Sequence, residues 1–266
     1  MIQQGEMAMA KIKFETKNAL GIVTLDNPPV NAIGVELIGE LQDVLEKIET
    51  SNIRGLIFKA EGDNFSAGAD VNIFKGRTPA QAKEMFDDFF ALLHRFETLP
   101  IPTMAVVKGL CLTAGLEATL CMDMIWAAEN AVFAQAEAII GAIPFGGGIQ
   151  RLAARSGSAR AKEIVFSAQF YPARKFLDYN IINRILPAED LMEKAEKYMQ
   201  NLADNGPTLA FAATKKIVNV FENEGIASAD QMTRDLGSAL FDTKDFQNGV
   251  ASFLKDGPGK ITFKGE

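Results

Sequence analysis

Histidine is nearly absent: the 266 residues hold one, His94. A multi-histidine metal site is thereby excluded, and a serine or cysteine triad would have to be built on that single residue. His94 falls inside the apolar helical pattern Phe86, Phe89, Phe90, Leu93, Phe96, which puts it on or near a helix surface. Cysteine is scarce as well. Cys111 and Cys121 form no Cys-x-x-Cys pair, so there is no disulfide framework and both read as reduced core thiols. No stretch of about 18 apolar residues occurs, so no segment is expected to insert in a membrane. The opening MIQQGEMAMA has neither a basic n-region nor an apolar centre and reads as a flexible terminus rather than a secretion signal. A cytoplasmic location is expected. Positive charge is in deficit, with 27 Lys+Arg against 34 Asp+Glu and a net charge of −7. That balance gives no general electrostatic footprint for DNA or RNA, and no nucleic-acid partner is expected. Phosphate-binding signatures are missing too. No Gly-x-Gly-x-x-Gly follows a strand, and the glycines from Gly141 to Gly148 lack the Lys-Ser/Thr of a Walker loop.

What is present is ordinary globular material, 48% hydrophobic and 23% charged, in a length that fits one large domain or two small ones. KIKFETK and GIVTLD, joined by a turn containing Asn18, predict a β-hairpin. DNPPV breaks structure, and Leu37, Leu41, Val44, Leu45 and Ile48 then recur at helical spacing. GLIFKA reads as a buried strand, EGDNFSAGAD as a loop, and Thr78-Pro79 as a helix start that runs until Pro100. TMAVVKG is a strand, LTAG a small-residue turn, and Leu116 to Cys121 a short helix. MIWAAE and AVFAQ are strand-like, and GAIPFGGGIQRL is a glycine-rich turn opening a helix. Beyond residue 158 the pattern is helical apart from one short strand near IINRIL. The order predicts an α/β core followed by a C-terminal helical region.

Three features can carry chemistry. FSAGAD, residues 65–70, exposes backbone N–H groups with little side chain in the way. Leu112-Thr113-Ala114-Gly115 opens a helix, where free N–H groups favour a developing anion. Glu117 and Glu137 each sit among apolar or small neighbours, in GLEATLCMD and FAQAEAIIG. If buried, both carboxyls would titrate above their usual range and exchange protons near neutrality. Taken singly, each has a plainer explanation. The loop is a strand exit, the turn a helix start, Glu117 a salt-bridge or helix-surface residue and Glu137 a strand-end cap.

Taken together, TLDNPPVNAI, FSAGAD, VKGLCLTAGLEATLCMD, FAQAEAIIGAIPFGGGIQRL and the tail ending ASFLKDGPG resemble the crotonase superfamily, the enoyl-CoA hydratase/isomerase family. The resemblance runs from about Lys11 to Glu266 and is strongest to the hydratases. It implies a crotonase-like ββα spiral core over 11–195, a helical trimerisation region over 196–266, and a homotrimer or dimer of trimers. It implies Ala69 and Ala114 as the two N–H donors of an oxyanion hole. Glu117 and Glu137, twenty residues apart, fall on the two catalytic glutamates. Val30, Ala32, Ser66, Ala67, Ala69, Asp70, Val71, Asn72 and Ala114 fall on substrate and CoA contacts.

The implied reaction is hydration of a 2-enoyl-CoA thioester to 3-hydroxyacyl-CoA. Coenzyme A arrives as part of the acyl-CoA substrate, and no separate cofactor or metal is expected. Three departures stand out. Thr113-Ala114-Gly115 replaces a triple glycine, Ala136 replaces a proline, and Asn72 stands where a lysine near the CoA phosphates is common, with Lys75 as a substitute. An isomerase moving a 3-enoyl double bond with Glu137 alone is the nearest alternative, and a non-catalytic CoA-binding subunit the next. Retention of both glutamates speaks against the latter, because buried carboxyls are costly.

Overall fold

The structure is a computed structural model that describes residues 11–266; the expected flexible N-terminus, 1–10, lies outside them. The predicted hairpin forms from β1 (Ile12–Lys17) and β2 (Leu20–Leu25), paired antiparallel around Asn18 with φ +52°. After α1 (Val35–Glu49), β3 (Gly55–Ala60) joins β2 in parallel. Next comes α2 (Pro79–Glu97), whose Thr78 and Gln81 cap the helix reciprocally.

The chain then alternates between two sheets. β4 (Thr103–Val107) and β6 (Met124–Ala128) extend the first sheet, whereas β5 (Leu110–Leu112) and β7 (Val132–Ala134) start a second one. Between them lies α3 (Ala114–Leu120), which starts two residues earlier than the sequence pattern indicates. α4 (Gly148–Ser156) and α5 (Ser158–Ser167) follow. They lead to β8 (Tyr171–Pro172), which pairs antiparallel with β7. This second short strand corrects the expectation that the chain beyond 158 holds only the strand near IINRIL. Two residues are too few to show a period of two. α6 (Ala173–Asp178) and β9 (Arg184–Leu186) close the first sheet in the order β1-β2-β3-β4-β6-β9. Splitting the pairs β4/β5 and β6/β7 between two sheets before a helix returns makes the ββα spiral.

Burial follows the pleat. Ile22, Ile57, Met104, Val106, Trp126 and Ala128 pack on one face of the first sheet. Val23, Leu25, Leu56, Phe58, Ala105, Val107, Ile125 and Ala127 pack on the other. Parallel strands covered on both faces read as continuous apolar runs, which is how GLIFKA and TMAVV look in the sequence. The first face is closed by α7 (Ala188–Asn205) through Leu191, Ala195, Met199 and Ala203. A division after residue 195 therefore falls in the middle of a helix that belongs to the sheet, and the chain turns away only at Gly206-Pro207. α8 (Thr208–Glu224), α9 (Ile226–Leu240) and α10 (Lys244–Asp256) complete the chain. No helix among the described residues is long and apolar enough to cross a membrane.

Candidate active site

The FSAGAD loop is stitched on both sides. Phe65 and Ser66 N–H groups donate to the carbonyls of Lys108 and Leu110, and Leu112 N–H returns the bond to Ser66. On the other side Ile33 N–H donates to Gly68, and Asp70 N–H donates to Ile33. In this parallel bridge the N–H of the intervening Ala69 points away from Ile33. It meets the Thr113 hydroxyl, which accepts it at 3.3 Å. Ala114 is the first residue of α3, so its N–H has no partner within the helix. Both expected oxyanion donors thus border the same cavity, about 230 Å³ in volume.

That cavity brings together Ala67, Ala69, Val71, Thr113, Ala114, Glu117 and Glu137. The other expected substrate contacts lie outside its lining. Ser66 is fully buried, donating to the Asn31 carbonyl at 2.7 Å and accepting from Gly68 N–H at 3.1 Å. Asp70 caps the 3-10 turn at Val71–Phe74 by accepting from the Asn72 N–H. Val30 is exposed and its carbonyl holds Ala67 N–H; the Ala32 carbonyl accepts from the Asn27 side chain. Asn72 lies on the exposed rim, with its side chain on Asp70. His94 is exposed on α2, 3.7 Å from Glu97, outside the cavity.

Glu117 is 2% exposed on a helix whose every residue is buried. Its Oε1 accepts from Gly146 N–H at 2.7 Å and from Gly148 N–H at 2.9 Å. Burial pushes its pKa up to about 7, while those two N–H groups and the nearby Arg151 charge pull the other way. Arg151 is fixed by a two-point bond to Glu97, 2.8 and 2.7 Å, and donates to the Gly146 carbonyl at 3.1 Å. The glycine-rich turn that fails as a phosphate loop therefore serves as a brace for Glu117. Gly148 is required by close approach, since a Cβ there would strike the Gln135 amide and lie 3.0 Å from Glu117 Cγ.

Glu137 opens the 3-10 turn Glu137–Ile140 and is 9% exposed. Burial again raises its pKa to about 7; its own backbone N–H opposes this and the Glu117 charge adds to it. Gln135 is fully buried, and with its amide nitrogen toward Glu137 it donates to both carboxylate oxygens, at 3.0 and 3.1 Å. The two carboxyls line one cavity, and the Glu117 charge adds a small upward push to Glu137. The far wall is aromatic. Phe86 stacks on Phe145 with centroids 4.3 Å apart, and Phe74 meets Phe145 edge-on at 5.7 Å. A larger groove of about 920 Å³ lies between α2, α4, α8 and α9 and contains neither glutamate.

Thr113 holds a conformation unusual for a β-branched residue, φ +46° and ψ −120°. Such a backbone costs about 1–3 kcal/mol and persists where the surroundings enforce it. Among the residues that sequence reasoning misses are the Gly146 and Gly148 N–H groups, Gln135, Arg151 and the Thr113 hydroxyl. Only the cluster of glycines ahead of α4 signals a close approach.

Comparison with known proteins gives one consistent answer. A family model described as enoyl-CoA hydratase/isomerase matches residues 15–265. The chain is 30% identical over 265 residues to a probable enoyl-CoA hydratase of Bacillus subtilis, covering 97% of this chain and all of that protein. It is 30% identical over 245 residues to the mitochondrial enoyl-CoA hydratase of Pongo abelii, covering 90% and 82%. Among solved structures, an enoyl-CoA hydratase subunit from Geobacillus kaustophilus superposes with a TM-score of 0.90 at 29% identity, covering 97% and 99% of the two chains.

Proposed function

We propose that this chain, which belongs to the enoyl-CoA hydratase/isomerase family, adds water reversibly to the double bond of a 2-enoyl-CoA thioester, giving a 3-hydroxyacyl-CoA. The observation that carries the reading is that Glu117 and Glu137 line one cavity with Ala69 and Ala114, both carboxyls raised to about 7. Conjugate addition needs a base to take a proton from water as its oxygen bonds to Cβ. It also needs an acid to protonate Cα, and donors for the thioester oxygen where enolate charge gathers between the two events. Two carboxyls near half-protonation supply base and acid at neutral pH without help from the medium. In this reading Glu117 and Glu137 hold the water between them and Glu137 delivers the proton to Cα. The N–H groups of Ala69 and Ala114 take the oxygen, and coenzyme A comes and goes as part of the substrate.

The test is loss of the conjugated-thioester absorbance of crotonyl-CoA, run beside a 3-enoyl-CoA. Hydration of the former supports the reading; turnover of the 3-enoyl substrate alone refutes it in favour of the isomerase. Glu117→Gln and Glu137→Gln should each lower hydration by about 10³-fold or more, since each removes an acid/base group worth ~10²–10⁴. Binding of butyryl-CoA should survive in both. Near-full turnover in both variants would remove the two glutamates from the chemistry.

The proposal extends to assembly. α8 buries none of its residues, and α9 and α10 bury only Ala229 and Asp245. Phe221, Ile226, Phe241 and Phe253 stand more than half exposed on this region. A homotrimer or dimer of trimers covers these faces, and light scattering should read one of those masses; a monomer at micromolar concentration contradicts it. A cytoplasmic location fits Cys111 and Cys121, both buried and unpaired.

A further inference from the structure

The Ala69 N–H does not open freely into the cavity, because the Thr113 Oγ1 accepts it at 3.3 Å. Two backbone positions accommodate that single hydroxyl. Thr113 takes a positive φ of 46°, and Gly68 has φ +102° and no Cβ, where a Cβ would overlap the Thr113 oxygen. A glycine at 113 would adopt the same backbone without strain. The hydroxyl is thus held in place at the first donor although a simpler residue would serve the chain path. Its oxygen accepts from Ala69, so its own proton is left to donate, and among the described residues no acceptor takes it. Thr113 lines the cavity between Ala69 and Ala114. The hydroxyl is thus held against the Ala69 N–H on a residue that lines the cavity.

We propose that Thr113 is a further catalytic residue, whose hydroxyl accepts from Ala69 N–H and donates to the thioester oxygen of the substrate, so that Ala69 acts on that oxygen through Thr113 while Ala114 N–H acts directly. The inference rests on the thioester chemistry proposed above. Hydrogen bonds in series polarise one another, so the Ala69 N–H makes the Thr113 O–H a stronger donor as enolate charge develops. The proton stays on Oγ1 throughout, and no bond to Thr113 forms or breaks.

Three variants separate this role from a passive one. Thr113→Val keeps the branched shape and loses the donor, Thr113→Ser keeps the donor, and Thr113→Gly loses the donor and relieves the backbone. Thr113→Val should lower kcat for crotonyl-CoA hydration by about 10²-fold, the scale of one lost oxyanion donor, with butyryl-CoA Kd within about threefold. Thr113→Ser should recover to within about threefold of the parent, and Thr113→Gly should stay as slow as Thr113→Val. The carbonyl stretch of bound butyryl-CoA, read by isotope-edited infrared spectroscopy, should return toward its free frequency in Thr113→Val and Thr113→Gly but not in Thr113→Ser.

Parent-like turnover and carbonyl frequency in Thr113→Val overturn the proposal. So does a Thr113→Gly enzyme faster than the parent, which would make the hydroxyl a plug over Ala69. Should Thr113→Val fail to fold, the serine and glycine variants decide alone. A parent protein that polarises butyryl-CoA through Thr113 but hydrates no crotonyl-CoA sinks the hydratase reading and leaves this inference standing. A parent that hydrates with Thr113 dispensable does the reverse.

Discussion

Glu117 and Glu137 are both raised to about 7 by burial, but they are held in place by different means. The Glu117 corner is closed and braced. Two backbone N–H groups grip one oxygen, Arg151 stands behind them, and every residue of α3 is buried. The Glu137 corner is looser. Its carboxylate leans on one side chain, Gln135, and the turn it opens exposes Ile139 and Ile140 by 69% and 61%. Backbone braces fix a group by covalent geometry, whereas a side-chain brace can follow its partner. In the proposed reaction the base that takes a proton from a held water tolerates rigidity, whereas the acid that hands a proton to carbon has to follow it. The asymmetry matches the division of labour proposed for the pair.

Among substitutions that leave both glutamates in place, the largest expected effect strikes the point where the two corners touch. Gly148 donates to Glu117 and abuts the Gln135 amide, so Gly148→Ala disturbs both braces with one methyl. Hydration should fall about 10²–10³-fold, because displacement of a reacting group by ~1 Å alone costs about 10². Near-neutral pH profiles should also lose their shape, since the N–H bonds that oppose the rise of the Glu117 pKa are weakened. Turnover within fivefold of the parent, measured on crotonyl-CoA, would show that the Gly148 brace is dispensable and the contrast between corners empty.

The same asymmetry explains what is legible in the sequence. GLIFKA, TMAVVKG and the α1 and α2 repeats can be read because burial on one face or two leaves a period in the chain. Glu117 and Glu137 are conspicuous by their apolar company, and the crotonase resemblance supplies their pairing. What holds them is hidden. The bond from Gly146 to Glu117 spans 29 residues, that from Ala69 to Thr113 spans 44, and the Arg151–Glu97 pair spans 54. Such pairings leave no local pattern, since a backbone N–H is offered by nearly every residue. Gly141 to Gly148 stand out in the chain for the phosphate motif they fail to complete, whereas two of them, Gly146 and Gly148, sit beside Glu117 where a Cβ would strike the Phe89 ring or the Gln135 amide. Thr113 registers in the sequence only as a departure from triple glycine; its hydroxyl bond becomes visible once Gly68 is placed beside it.

The smallest effect expected is on stability, and it sharpens the comparison because chemistry plays no part in it. A carboxyl raised from 4.5 to about 7 by burial binds its proton more tightly in the folded chain than in the unfolded one. Between those values the native state holds more protons, so stability is fully present below about pH 4.5 and is lost as pH rises through about 7. Glutamine is neutral at every pH and keeps an oxygen for the Gly146 and Gly148 N–H groups. Glu117→Gln should therefore melt close to the parent at pH 5 and above it at pH 8. The gap amounts to at most about ten degrees, because a pKa raised from 4.5 to about 7 is worth at most about 3 kcal/mol. Glu137→Gln should follow the same direction with a smaller gap, because its side of the cavity opens toward solvent. Melting curves of the three proteins at both pH values decide the matter. A gap for Glu117→Gln that widens toward pH 5 would mean the parent gains, rather than loses, by burying the charge, and the braced corner would then be a stabilising ion site instead of a poised acid/base.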